Sequence, residues 1–129
     1  MKKLFISCPM RGLTNEEIER EREKIKAVAE AYIGEETEVV KIPAETIWQL
    51  KREAEENSET ENAARIRMLG YSIVCMAEAE YFAYYESIKK GVYPGCAVEL
   101  LAAESYGLKK IPVKMNLIED QMLKEETKK

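Results

Sequence analysis

Strand and helix signals alternate along the 129 residues, which predicts an α/β domain on a parallel sheet of four or five strands flanked by helices. Two observations carry that prediction. The strand candidates are short, continuously apolar runs of the kind buried on both faces. The helices between them bring their own start and stop signals.

The run Lys3-Leu4-Phe5-Ile6-Ser7 stops at Cys8-Pro9 and suits a central strand; the turn Pro9-Met10-Arg11-Gly12-Leu13 follows it. Thr14-Asn15-Glu16-Glu17 then matches a capping box, in which hydroxyl and carboxylate exchange hydrogen bonds with each other's amide. Ile18, Ile25, Val28, Ala29 and Tyr32 continue at helical spacing against a charged opposite face, until Gly34 stops the helix. Glu38–Ile42 reads as a second strand, ended by Pro43. A polar helix over Ala44–Glu56 has only Ile47, Trp48 and Leu50 as anchors, and Asn57-Ser58-Glu59-Thr60 breaks it. Ile66, Leu69, Ile73 and Met76–Ala77 mark another amphipathic helix.

Tyr81–Tyr85 is an aromatic third strand. After the loop Glu86–Pro94, Gly95-Cys96-Ala97-Val98-Glu99 opens a helix that ends at Gly107. Ile111-Pro112-Val113 is a short strand whose proline suits an edge or strand end. Leu117–Glu126 reads as a final helix with Ile118 and Met122 on one side, a candidate for docking on the sheet or on another subunit. Right-handed crossovers complete a flavodoxin/Rossmann-like three-layer sandwich spanning 1–129 as a single domain.

Composition removes several functions. Twenty basic against 24 acidic residues give a net charge of −4, which argues against binding a nucleic-acid polymer through its phosphates. No apolar stretch reaches the ~20 residues of a membrane span, and the N-terminal run is too short for a signal peptide. Three cysteines in no framework spacing agree with a reducing, cytoplasmic setting. With no histidine at all, Ser-His-Asp hydrolysis, Cys-His proteolysis and histidine-based zinc sites are excluded, and no metal or other cofactor is called for. The only aspartate is Asp120, so carboxylate chemistry in the body of the domain falls to glutamate.

In parallel α/β sheets, ligands bind beyond the carboxyl ends of the strands, where strand order reverses. The loops after the first and third strands must meet there. Ser7, Pro9, Met10 and Gly12 are thereby expected near Tyr93, Gly95, Cys96 and Glu99.

Lys-Leu-Phe-Ile-Ser-Cys-Pro-Met-Arg-Gly-Leu (3–13), Met-Ala-Glu-Ala-Glu-Tyr-Phe-Ala (76–83), Gly-Val-Tyr-Pro-Gly-Cys-Ala-Val-Glu (91–99) and Ala102–Val113 occur in an order and spacing that resemble the nucleoside 2-deoxyribosyltransferase-like family. The resemblance spans most of the chain and is weak from Lys41 to Arg65. It implies transfer or hydrolysis at an N-glycosidic bond with retention, Glu99 being the nucleophile that forms a glycosyl ester. It also implies a nucleoside or nucleotide as small-molecule partner, bound by Ser7, Pro9, Met10, Gly12, Gly95 and Cys96, and a homo-oligomer. Two positions depart from the family's pattern. Tyr93 stands where an acid six residues before the nucleophile handles protons on the base. Tyr71 and Ser72 stand where the helix before the third strand carries an acid. Glu86 is a candidate replacement.

Plainer readings stand beside these. Near a helix start, where the helix dipole favours a charged carboxylate, Glu99 also serves stability alone. Ser7 also serves as a strand-end cap, while Trp48, Tyr84 and Tyr93 suit either base stacking or packing. A nucleotide-binding protein that has lost turnover, and a thiol role through Cys8 and Cys96, complete the alternatives.

Overall fold

The computed structural model describes residues 1–9, 13–86, 88 and 93–114. Its order is β1 (Lys2–Ser7), α1 (Asn15–Ile33), β2 (Thr37–Val39), α2 (Ala44–Glu56), α3 (Glu61–Met76), β3 (Tyr81–Tyr85), α4 (Pro94–Ser105) and β4 (Lys109–Val113). The strands form one parallel sheet in the order β2-β1-β3-β4, so the strand order reverses between β1 and β3. Leu4 pairs with Val39 on one side and Tyr81 on the other, and Ser7 pairs with Tyr84. The expected α/β sandwich is therefore present, with four strands among the described residues.

Side chains alternate across the sheet and give it two different cores. Leu4, Ile6, Tyr81, Ala83, Tyr85, Ile111 and Val113 face α1, which buries Ile25 and Ala29 against them. On the opposite face Phe5 and Phe82 stack with ring centroids 5.7 Å apart, covered by Met76 of α3 and Ala103 of α4. Full burial of one such side chain stabilises by about 1.5–3 kcal/mol.

Helix ends follow the local signals. The Thr14 hydroxyl accepts from the Glu17 amide at 3.1 Å, and the Glu17 carboxylate accepts from the Thr14 amide at 3.0 Å. Gly34 and Gly107 take the left-handed conformation, with φ of 85° and 76°, just beyond α1 and α4. Thr60 caps α3 by accepting from the Ala63 amide, and Pro94 occupies the first position of α4, where a missing N–H costs nothing.

Several expectations are corrected. The second strand is shorter and earlier than Glu38–Ile42: it spans Thr37–Val39, and the buried Val40 makes one more bond to β1, its amide donating to the Leu4 carbonyl at 2.8 Å, before the chain turns to Pro43. On α1, Val28 and Tyr32 are exposed. Glu21, read as part of the charged face, is buried. It lies three residues after Ile18 and four before Ile25, on the stripe that meets the sheet. Ile66 is exposed because the buried stripe of α3 runs through Ser72 and Met76 instead. The last strand begins earlier, at Lys109, and is one of the two edge strands among the described residues, β2 being the other. The helix expected over Leu117–Glu126 lies outside the described residues. Among the described residues no helix is long and apolar enough to cross a membrane.

Candidate active site around Glu99

The carboxyl ends of β1 and β3 meet at the strand-order reversal, and Ser7 is the last residue of β1. Odd-numbered β1 positions face the α3–α4 side, so the Ser7 side chain points away from α1. There its hydroxyl donates to Glu99 Oε1 at 2.8 Å. The Ser72 hydroxyl, from α3, donates to Glu99 Oε2 at 2.6 Å. One carboxylate is thus gripped through both oxygens by hydroxyls from a strand and a helix, and all three residues are buried.

Burial pushes the Glu99 carboxyl above its ordinary range, while the hydrogen bonds from Ser72 and Ser7 and the positive charge of Arg22 on α1 pull it down. The helix dipole does not hold Glu99 ionised as a place at the helix start would. Glu99 is the sixth residue of α4, which begins at Pro94, so it lies in the second turn. The dipole acts mainly within the first turn, and burial prevails.

The other predicted site residues divide. Pro9 is buried directly after β1. Met10 and Gly12 lie outside the described residues. Tyr93 is buried and is the N-cap of α4, its carbonyl accepting from the Ala97 amide. Gly95 and Cys96 are half-buried in the first turn of α4. A Cβ added at Gly95 would lie 4.0 Å from Leu69 of α3, an ordinary contact, so the α3–α4 packing does not itself demand glycine. Tyr84 is half-buried on the Ser7 side of the sheet, its ring tilted against Phe82 at 5.9 Å. Trp48 is exposed on α2, its ring faced by the Arg52 guanidinium at 5.1 Å. Glu86 is exposed after β3. Cys8 belongs to the core beneath α1, and Cys96 is on α4.

Two residues were not singled out as site members. Ser72 appeared in the sequence only as a missing acid, yet its hydroxyl holds Glu99. Glu21 accepts a short hydrogen bond from the Tyr85 hydroxyl at the end of β3, and its second oxygen is buried with no hydrogen-bond partner. Its helical spacing was the available signal.

Comparison of the chain with protein-family models, with curated proteins and with solved structures gives no match. The chemistry of the site is therefore read from the residues themselves.

Proposed function

We propose that the chain acts on the N-glycosidic bond of a deoxyribonucleoside or its nucleotide, with Glu99 as nucleophile. The observation that supports this reading best is the Ser7–Glu99–Ser72 arrangement at the β1/β3 reversal. A carboxylate fixed through both oxygens has lost little of its reach but most of its rotational freedom, which favours attack from one direction. Displacement at the anomeric carbon forms a bond from a Glu99 oxygen to C1′ and breaks the C1′–N bond, whose electron pair leaves with the base. Water or a second base then attacks C1′, breaks the ester and regenerates the carboxylate; two inversions give net retention. The serine donors offset the burial of the charge, so the ionised form remains accessible.

A second reading, a binding protein without turnover, draws support from Tyr93. The residue at the position of the expected acid is a buried phenol in the N-cap of α4, a far weaker acid than a carboxyl group.

One experiment separates the two. The protein is incubated with a panel of deoxynucleosides and their 5′-monophosphates, released base is measured, and intact-protein mass spectrometry looks for a deoxyribosyl adduct. Base release with an adduct that is missing in Glu99→Ala supports catalysis. Binding that survives Glu99→Gln, with no product from either protein, supports the second reading. Neither binding, adduct nor product across the panel overturns both.

A further inference from the structure

We propose that the site takes N-glycosides of a cationic heteroaromatic base, one whose ring nitrogen already carries its positive charge while bonded to the sugar. This rests on the reading of Glu99 as nucleophile and names the class of substrate that reading requires. A neutral base departs as an anion unless it is protonated, and enzymes supply that proton from a positioned acid. The segments that build this site are poor in acids. From Ser7 to Thr14 and from Ser87 to Val98 the sequence has no aspartate, glutamate or histidine, and from Asn62 to Met76 of α3 it has none either.

The donors that are present serve other ends. Ser7 and Ser72 commit their hydroxyl hydrogens to Glu99 at 2.8 and 2.6 Å. Tyr93 is a buried phenol at the N-cap of α4, a far weaker acid than a carboxyl group. Glu86 is exposed, and its amide is tied to the Val113 carbonyl at 3.0 Å, on the β4 side. In two-carboxylate glycosidases the pair stands roughly 5–9.5 Å apart, near enough for each to bear on the other. Among the described residues, the groups acting on the Glu99 carboxyl are Ser72, Ser7 and Arg22, and no second carboxyl is among them.

What the site does offer suits a cation. Glu99 is a buried carboxylate, and a positive charge beside it offsets the cost of keeping it from water. Tyr84 is the register partner of Ser7 on a strand about 4.8 Å away, and its half-buried ring lies on the same face. Cations are attracted to aromatic faces. Arg22 belongs to α1, on the other face of the sheet from Ser7 and Tyr84.

The chemistry then needs no acid. A Glu99 oxygen bonds to C1′ while the C1′–N bond breaks, and the electron pair of that bond neutralises the ring nitrogen. The base leaves uncharged and unprotonated. Water next attacks C1′, the ester bond breaks with its electron pair returning to Glu99, and the proton of the water passes to solvent. The products are the free sugar, the neutral base and one proton.

The test sets charged against neutral glycosides of the same sugar on the full chain. The first pair is 7-methyl-2′-deoxyguanosine and 2′-deoxyguanosine; the second is nicotinamide 2′-deoxyriboside and its neutral dihydro form. Base release is measured by chromatography, with the spontaneous rate in buffer subtracted, and peptide mapping locates any deoxyribosyl adduct. In at least one pair, kcat/KM for the cationic member is expected to exceed that for the neutral one by at least about a hundredfold, the lower end of what a general acid contributes. The adduct is expected on Glu99. Cleavage in one pair alone tells an alkylated purine from a pyridinium ligand. Neutral members cleaved within that hundredfold in both pairs overturn the proposal and leave the nucleophile standing. No release and no adduct from any of the four overturns both.

Discussion

Glu99 sits where its charge is disfavoured, and two serines hold it there. An acid whose pKa is higher in the folded protein than in the unfolded chain binds its proton more tightly in the native state. Its contribution to stability is then greatest below the ordinary value of 4.5 and is lost as pH rises through the elevated folded value. Glu99→Gln, which cannot ionise, should melt at a higher temperature than the wild type near pH 8, and the gain should vanish near pH 4. Thermal scans across that range check the sign. Ser72→Ala removes a donor that lowers the Glu99 pKa, so it should move the carboxyl titration, followed by carbon NMR, to higher pH. It should also cost about 1–3 kcal/mol at neutral pH, as an under-satisfied buried group does. Glu21 and Tyr85 form the second buried polar pair. Tyr85→Phe alone should destabilise by about 1–3 kcal/mol, whereas adding Glu21→Met should restore most of the loss. A double-mutant cycle in urea reads that coupling directly.

The helix termini locate the site residues along each element, so their caps matter beyond local stability. Thr14→Ala should cost about 1 kcal/mol by removing half of the capping box that starts α1, the helix that carries Glu21 and Arg22. Gly107→Ala forces a side chain into the left-handed region between α4 and β4 and should cost about 1–2 kcal/mol. Both effects are measurable as shifts in urea midpoint. The elements themselves were legible because their signals were local: the capping box at Thr14, the glycines past α1 and α4, the continuous apolar run of β1. The meeting of Ser7 and Glu99 was legible as well, since strand alternation alone brings the first and third loops to one edge. Glu21 was not found because glutamate in a charged stretch reads as solvated, and only its tertiary neighbour Tyr85 makes burial tolerable. Ser72 was hidden differently, because a hydroxyl that serves a distant carboxylate leaves no pattern in its own helix. The exposure of Ile66 likewise depends on how α3 is rotated against the sheet, which apolar spacing did not determine.

On the scale of the molecule, the two layers divide the labour. The α1 layer is charged outside and closes one core; the α3–α4 layer holds Glu99 on its inner side and exposes Ile66, Val74, Val98 and Leu101. Truncation in the core under α1 tests that layer alone. Ile25→Ala, beneath α1, should lose about 2–5 kcal/mol by leaving a cavity. A shift of the urea midpoint to lower concentration measures that loss.

The edge strand β4 has a consequence of another kind. The Lys109 amide donates to the Glu80 carbonyl, on the β3 side. By the period-two alternation of a strand, the amides of Ile111 and Val113 point the same way, and position 112 points outward. Pro112 stands there and has no N–H to give, next to the charged Lys109 and Lys110. Among the described residues the sheet has two margins, β2 and β4, and the β4 margin is thereby blunted against recruiting a foreign strand, at no cost to the ladder with β3. A proline at the outward position works there against uncontrolled fibre-like growth.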